Sequence, residues 1–130
     1  MREEESSRLK QLTAELKEKN REAYEQFVSR TSRPGYKNDF YGEVKPFADR
    51  VQLLIDAWRP LAEDWVSSKK PKYVFPIQIK DTYDNLAIVC VTAFQTDTRR
   101  RRFIETIKAV DYVLENILGQ IEQDRDFSGF

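Results

Sequence analysis

Apolar residues recur at alternating steps of three and four along most of this chain. That spacing places them on one face of an α-helix, as is typical of helices that pack into a bundle core. Four segments show the pattern, about Ser6–Ser29, Phe40–Trp65, Ile79–Phe94 and Phe103–Ile121. Short connections between long helices favour antiparallel neighbours. The pattern therefore predicts an all-α fold, an antiparallel up-down-up-down four-helix bundle that residues 1–130 form as a single domain.

The second predicted helix contains two prolines, Pro46 and Pro60. A proline inside a helix usually costs about 3 kcal/mol. Gly42 lies four residues before Pro46 and leaves room for the proline ring, and Asp39 occupies the position of an N-cap. We therefore expect one bent second helix rather than two helices. Whether Pro60 bends or breaks that helix stays open at this point.

The segment Lys69–Pro76 fits neither of the helical patterns beside it. Pro71 favours an extended conformation in the residue before it and so ends the second helix, while Pro76 suits the first turn of the third. We expect the side chains of residues 73–75 to fold over the open end of the core. The lysines of this segment are expected to stay in water or to pair with acidic residues near the two termini.

The residue inventory excludes several classes of function. The chain has 22 Lys and Arg against 22 Asp and Glu, so no net field attracts nucleic acid or a membrane. It has no histidine, which removes the commonest general base, the Ser–His and Cys–His pairs and the Glu-x-x-His ligands of di-iron bundles. Neither a zinc-ligand spacing nor a glycine-rich phosphate loop occurs. We therefore predict a protein that is not an enzyme and that holds no metal and no cofactor.

Two smaller candidates have structural interpretations. Cys90, the single cysteine, lies in the middle of a predicted helix among apolar residues. It lacks the basic neighbour or helix N-terminus that a reactive thiol needs, so we expect it in the core. A series of glutamates at helical spacing in the first helix is expected to form a solvated face with ion pairs. These glutamates are Glu15, Glu18, Glu22 and Glu25.

The strongest local charge is the run Arg99–Arg102. In the predicted topology this run shares one end of the bundle with the first connection, which also carries cations. We call the following six residues the basic pole: Arg33, Lys37, Arg99, Arg100, Arg101 and Arg102. Such a cluster can bind the phosphates of nucleic acid or an acidic patch of a partner. In the alternative, the arginines are solvated or paired with nearby carboxylates, for which the candidates are Glu43, Asp97 and Glu105.

Several short blocks of the sequence carry a family resemblance. The most specific is a basic pair followed by Pro71-Lys72-Tyr73-Val74. The others are Gln78-Ile79, Asp84-Asn85-Leu86, a basic pair before Phe103, Asp39-Phe40-Tyr41, Lys45-Pro46 and Trp58. Over roughly residues 38 to 121 the chain thereby resembles the YppE-like family of small uncharacterised bacterial proteins. The resemblance implies a cytoplasmic four-helix bundle, and it brings no known activity and no functional residue.

Three functions remain under consideration. The first is a non-enzymatic interaction module that contacts an unknown protein partner through the basic pole or through aromatic residues of the first connection. The second, less favoured in a neutral chain, is association with nucleic acid through the same pole. The third is binding of a small ligand in an internal cavity, for which the candidate lining is Trp58, Tyr83, Cys90 and Phe94.

The setting of the protein is also predicted from the sequence. With one cysteine, no apolar leader segment and no long apolar run, we expect a cytoplasmic protein that does not contact a membrane. The broad apolar surface of the third helix leaves two oligomeric states open, a monomer and a homodimer.

Overall fold

Four long helices make up the computed structural model, which describes the backbone of residues 1–128 and the side chains of residues 1–123. They are α1 (Glu3–Glu25), α2 (Lys45–Lys69), α3 (Pro76–Thr92) and α4 (Arg100–Ser128). Within the described backbone there is no strand, and the all-α prediction is confirmed. We number the connections in chain order: residues 32–39, 70–75 and 93–99.

The side chains that join α1 to α4 show that these two helices run in opposite directions. Lys10 Nζ lies 3.5 Å from Glu122 Oε1, and Lys17 Nζ lies 3.8 Å from Glu115 Oε1. Farther along α1, the buried Asn20 donates from Nδ2 to the carbonyl of Ile107 at 3.0 Å. Residue numbers therefore rise along α1 while their partners' numbers fall along α4, as in an antiparallel pair.

The contacts between α2 and α3 follow the same rule. The rings of Phe47 and Phe94 meet edge to face with centroids 5.8 Å apart. At the other end, the Tyr83 hydroxyl donates to Asp56 Oδ1 at 2.6 Å. Each helix packs against the helices that precede and follow it, and α1 also packs against α4, so the four enclose one core.

The core consists of the apolar stripes of all four helices together with Val74 from the second connection. Its largest fully buried side chains are Leu9, Leu16, Val51, Ile55, Trp58, Trp65, Val74, Ile79, Leu86, Val110, Leu114 and Ile117. Burying each such aliphatic side chain contributes on the order of 1.5–3 kcal/mol. The packing therefore supplies the stability that helix propensity alone would not.

The second helix begins with one π-helical turn, Phe40–Val44, before it continues as α2. Asp39 caps this turn, since its Oδ1 accepts from the amide of Gly42 at 2.9 Å. A β-carbon on Gly42 would collide with that carboxylate. The absence of a side chain at Gly42 therefore leaves space for the capping carboxylate of Asp39. The cap alone explains the glycine, without the space for the ring of Pro46 that we expected it to provide.

Neither proline divides the second helix. Pro46 stands where the π-helical turn Phe40–Val44 passes into α2, and the helix continues through it. Pro60 lies inside α2, which continues beyond it to Lys69. The expectation of one helix rather than two is therefore met, and Pro60 does not break it.

Our expectation for the second connection is wrong for two of its three residues. Val74 is buried, with 1% of its surface exposed, but Tyr73 and Phe75 are 64% and 58% exposed. The backbone gives the reason. Phe75 is extended, and in extended backbone successive side chains point to opposite sides, so the burial of Val74 turns Phe75 towards solvent.

Candidate functional site at the basic pole

The first and third connections lie against each other at one end of the bundle. The hydroxyl of Thr31, just before the first connection, donates to the carbonyl of Ala93 at 2.6 Å. Behind them, the rings of Phe27 and Phe103 lie 4.5 Å apart. These contacts bring the two cation-bearing segments of the basic pole to the same end, as the topology predicted.

The first connection opens with a tight turn that presents Arg33. The amide of Tyr36 donates to the carbonyl of Arg33 at 3.2 Å, and Gly35 between them has a φ of 79°. Pro34 and Gly35 are the residues that a type II turn favours at its two central positions. Tyr36 is then held by Gln26, which donates from Nε2 to the tyrosine hydroxyl at 2.9 Å.

Both helices that border the first connection contain a π-helical turn at this end. Gln26–Thr31 follows α1, and Phe40–Val44 precedes α2. Their wider turns are visible in single hydrogen bonds: the amide of Ser32 donates to Phe27, and the amide of Val44 donates to Asp39. Such turns occur in proteins mostly as short insertions, frequently at functional sites.

Two arginines at this end are paired with carboxylates. Arg30 lies 2.8 Å from Glu43 Oε1, and this hydrogen bond raises the pKa of the guanidinium. Arg101 lies 3.2 Å from Glu105 Oε1, one helical turn farther along α4. Pairing with a nearby carboxylate, the alternative to a free binding surface, is therefore found for Arg101 within the basic pole and for Arg30 beside it.

The other five residues of the basic pole are exposed. Within residues 1–123, no carboxylate oxygen lies within 4.0 Å of them. They are Arg33, Lys37, Arg99, Arg100 and Arg102. Most cations on the helix faces do pair, for example Arg50 with Glu15 at 2.6 Å. Within residues 1–123, the unpaired cations therefore lie mostly at the ends of the bundle rather than on its helix faces.

The arginine run does not act as one surface, because successive residues of an α-helix point about 100° apart. Arg99 and Arg102, three residues apart, fall on the same side and line a cleft of about 350 Å³ between α3 and α4. The remaining lining residues are Asn85, Ile88, Val89, Thr92, Gln95, Asp97, Thr98, Phe103 and Thr106. Arg100 and Arg101 face elsewhere, as do Arg33 and Lys37.

The cleft combines an apolar floor with a polar rim. Val89 and Phe103 are almost fully buried beneath it, whereas Ile88 is 56% exposed. The rim is fixed in part by Thr98, whose hydroxyl donates to the carbonyl of Thr92 at 2.8 Å. Asp97 is the one acidic residue among the lining residues. The arrangement offers two guanidinium groups beside an accessible apolar side chain.

Comparison with known proteins places the chain in a family. The family model described as "Bacterial domain of unknown function (DUF1798)" matches residues 13–121. The chain belongs to this family. It is 24% identical over 110 residues to the "Uncharacterized protein YppE" of Bacillus subtilis (strain 168), a match that covers 85% of this chain and 86% of that protein. The resemblance drawn from the short sequence blocks is confirmed.

Solved structures of similar proteins have the same fold. A protein of unknown function from Listeria innocua matches with a TM-score of 0.86 and 24% identity, over 94% of this chain and 97% of that one. The crystal structure of YppE from Bacillus subtilis matches with a TM-score of 0.85 and 21% identity, over 93% and 98%. At these identities the likeness concerns the fold alone.

The cysteine of this DUF1798 protein has the environment of a core residue. Cys90 is 4% exposed, and its thiol donates to the carbonyl of Ala87 at 3.2 Å. Burial raises its pKa to about 11. A nucleophilic thiolate requires a lowered pKa and access to solvent, so Cys90 has neither property.

The glutamate series on α1 is occupied by ordinary surface contacts. Three of its members form ion pairs, Glu15 with Arg50, Glu18 with Arg21 and Glu22 with Lys19. Glu25 accepts a hydrogen bond from Ser29 at 3.5 Å. In the described part of the chain, no three His, Cys, Asp or Glu residues are grouped so that they could hold a metal ion.

The four residues considered for an internal ligand cavity have separate partners. Trp58 donates from Nε1 to Thr13 on α1 at 3.0 Å, while Phe94 packs on Phe47. The Tyr83 hydroxyl is bonded at the outer surface, and its hydrogen bond to Asp56 raises its pKa. Their polar atoms therefore do not converge on one space in the core.

Among the described residues, no helix is long and apolar enough to cross a membrane.

Proposed function

We propose that this DUF1798 protein is a non-enzymatic interaction module that binds an acidic region of a partner protein at the cleft between α3 and α4. One observation carries the proposal. Arg99 and Arg102 line the same cleft, both are exposed, and no carboxylate oxygen of residues 1–123 lies within 4.0 Å of either.

The position of these arginines supports a binding role. The N-terminus of a helix carries partial positive charge, so cations at the start of α4 are unfavourable for the folded protein. An incoming carboxylate reverses that effect, because it interacts with the helix end and accepts hydrogen bonds from the planar guanidinium groups. The arginines therefore lower the stability of the protein when it is free, and an acidic partner offsets this loss when it binds.

The composition of the cleft favours a protein over a nucleic acid. Ile88 offers an exposed apolar contact beside the two arginines, a combination typical of protein interfaces. Binding to single-stranded nucleic acid uses exposed aromatic rings for stacking, but Phe103, the aromatic residue of the cleft, is 3% exposed.

The absence of an enzymatic role belongs to the same proposal. The sequence has no histidine, and the thiol of Cys90 is buried with a raised pKa. The proposal places the protein in the cytoplasm, as the family resemblance implied, and a sequence with one cysteine, which cannot form an internal disulfide, is compatible with a reducing compartment.

Affinity capture with a matched control tests the proposal. Wild-type protein, Arg99→Ser/Arg102→Ser and Arg101→Ser/Lys108→Ser are immobilised and exposed to a bacterial extract, and bound proteins are quantified by mass spectrometry. Both variants lose two positive charges from residues 99–108, but only the first removes the cleft arginines. We expect a partner with an acidic segment whose retention falls about tenfold in the first variant, equivalent to ~1.4 kcal/mol. Equal retention by all three proteins would contradict the proposal.

Gel mobility on DNA and RNA fragments separates the nucleic-acid alternative. Binding through several phosphates weakens steeply as the salt concentration rises. The proposal predicts no retardation by the wild-type protein at physiological salt. Retardation that disappears in Arg99→Ser/Arg102→Ser would assign the cleft to nucleic acid instead.

A further inference from the structure

A second concave surface lies at the opposite end of the bundle, where the second connection joins α2 to α3. It is a groove of about 840 Å³ whose lining is largely apolar. Its lining residues are Arg59, Glu63, Val66, Ser67, Lys70, Pro71, Val74, Phe75, Pro76, Ile77 and Lys80. Phe75 and Ile77 are 58% and 60% exposed in its wall. The groove therefore offers apolar area that the bundle itself does not use.

The wall of this groove is held in place by hydrogen bonds. The amide of Phe75 donates to Gln78 Oε1 at 2.7 Å, and the amide of Gln78 donates back to the carbonyl of Phe75 at 2.9 Å. On the other side of the connection, Gln120 of α4 donates to the carbonyl of Lys72 at 2.6 Å. Val74, buried between them, anchors the segment in the core. A preorganised surface binds with less loss of entropy.

Two residues of the second connection have a strained backbone conformation. Lys70 and Tyr73 have φ angles of 45° and 67°, in the left-handed region that residues other than glycine rarely adopt. Lys70 occupies the C-cap of α2 in this left-handed conformation, so α2 ends before Pro71 as expected, but the extended conformation expected of Lys70 is wrong. Glycine is the usual residue in left-handed positions at helix ends. Glycine would relieve the strain at either position. At position 70 the chain instead places a cation that lines the groove, at a backbone position where folding alone favours glycine.

The groove is flanked by positive charge. Lys69, Lys70 and Lys72 are exposed, and within residues 1–123 no carboxylate oxygen lies within 4.0 Å of their amines. The expected pairing with the acidic end of the chain does not occur at Glu122, which pairs with Lys10 instead, and the other two acidic residues expected there, Asp124 and Asp126, lie outside the side chains that the structure describes. Glu63, the one carboxylate in the lining, is bonded to Arg59 at 2.6 Å.

We propose that this groove docks an acidic, amphipathic segment of a partner protein. Apolar side chains of the segment lie against Val66, Phe75 and Ile77, and its carboxylates face Lys70 in the lining, with Lys72 next to the edge of the groove at Pro71. The concave shape fits a peptide segment better than a flat membrane surface. A second copy of this chain is disfavoured, because a symmetric contact would bring the two lysine clusters together. The site lies at the other end of the bundle from the arginine cleft and does not depend on it.

Photo-cross-linking in whole cells tests this proposal. The photoreactive residue p-benzoylphenylalanine is placed at Phe75 in one protein and at Tyr112, an exposed aromatic position on α4, in a control. We expect an ultraviolet-dependent adduct at position 75 that exceeds the control about fivefold and maps by mass spectrometry to an acidic segment of another protein. An adduct with a second copy of this chain, an adduct with lipid, or no excess over the control would each overturn the proposal.

Removing Lys70 separates binding from folding. Lys70→Gly removes one charge and the left-handed strain, so the melting temperature is expected to rise while the adduct at position 75 falls about threefold. Lys37→Ser, which removes one charge at the other end of the bundle, is expected to leave the adduct unchanged. Arg99→Ser/Arg102→Ser is also expected to leave the adduct unchanged. A negative result for the proposed arginine cleft is therefore distinguishable from a negative result for the proposed groove. An undiminished adduct in Lys70→Gly/Lys72→Ser would contradict the proposed charge contact.

Discussion

Thr13 shows how one hydroxyl can fix the packing of a large aromatic side chain. It is fully buried, donates to the carbonyl of Leu9 at 2.6 Å, and accepts the indole N–H of Trp58 at 3.0 Å. Buried polar groups without a partner are costly, so this contact sets the position of Trp58 within an otherwise apolar core. The apolar pattern marked Trp58 as core, but a threonine carries no comparable signal.

Thr13→Val should destabilise the protein even though valine has nearly the same shape. The substitution leaves the buried N–H of Trp58 without an acceptor, which costs about 1–3 kcal/mol. Urea unfolding followed by circular dichroism measures the change. Ser68→Ala, which removes an exposed hydroxyl bond to the carbonyl of Asp64, is the control and should have a much smaller effect. Equal effects of the two substitutions would contradict the role assigned to Thr13.

Cys90 should react slowly with a thiol reagent in the folded protein. Its pKa of about 11 leaves little thiolate at neutral pH, and the side chain is buried. We expect modification by Ellman's reagent at pH 7.5 to be about a hundredfold slower than that of a free thiol, and to accelerate on unfolding. Rapid modification of the native protein would show that the helix around Cys90 opens readily.

The same thiol makes stability depend on pH with a defined sign. The folded-state pKa of about 11 lies above that of an exposed thiol, roughly 8.5, so between these values the folded protein holds the proton more tightly than the unfolded chain. This contribution is present below about pH 8.5 and is lost as the pH rises towards 11. Unfolding midpoints measured across that range should fall less steeply for Cys90→Ala than for the wild-type protein. Parallel curves would contradict the assignment.

At the scale of elements, apolar spacing was sufficient to place all four helices but not their ends. The fourth helix starts at Arg100, three residues before Phe103, where its apolar pattern begins, because arginines leave no trace in such a pattern. The third starts at Pro76 rather than Ile79, for which the proline itself was the better signal. The two π-helical turns were not predicted, since one additional residue per turn does not alter the spacing of a few apolar side chains.

The cap of the second helix should behave as a coupled unit. Asp39→Ala is expected to cost about 1 kcal/mol of stability because it removes the acceptor for the amide of Gly42. Gly42→Ala is also expected to destabilise, since its methyl group would collide with the Asp39 carboxylate. Once Asp39 is alanine, that collision is gone, and alanine at position 42 should be neutral or stabilising.

A double-mutant cycle on urea-unfolding free energies measures this coupling. We expect the double variant Asp39→Ala/Gly42→Ala to be more stable than the sum of the two single effects predicts, by at least about 0.5 kcal/mol. Additive effects would mean that the glycine is required for another reason, such as the ring of Pro46.

At the scale of the molecule, the sequence was sufficient to predict that the cations of the basic pole lie at one end, but not which of them are paired and which face the cleft. The topology brings the first and third connections together, as Thr31 and Ala93 show. Side-chain direction then divides the pole: Arg101 pairs with Glu105, whereas Arg99 and Arg102 face the cleft. That division depends on where α4 begins, which apolar spacing could not locate. At the opposite end, the exposed Phe75 and the strained Lys70 were missed, because left-handed backbone at non-glycine residues has no sequence signature.

The two ends of the bundle thus have different surfaces. One carries arginines beside a small cleft, and the other carries lysines beside a larger apolar groove. The long faces of the helices between them carry internal ion pairs, such as Lys10 with Glu122 and Arg50 with Glu15. If both ends bind acidic segments, the bundle can act as a rigid spacer between two partners or between two parts of one partner.

The most direct test of the arginine cleft is a nuclear magnetic resonance titration of the ¹⁵N-labelled protein with hexaglutamate, a peptide that supplies carboxylates and no apolar side chain. The account predicts saturable shifts of the amides of Thr98, Arg99 and Arg102. These shifts should persist in Arg101→Ser/Lys108→Ser and disappear in Arg99→Ser/Arg102→Ser. The absence of a saturable change at the cleft, or an unchanged response after both cleft arginines are removed, would contradict it.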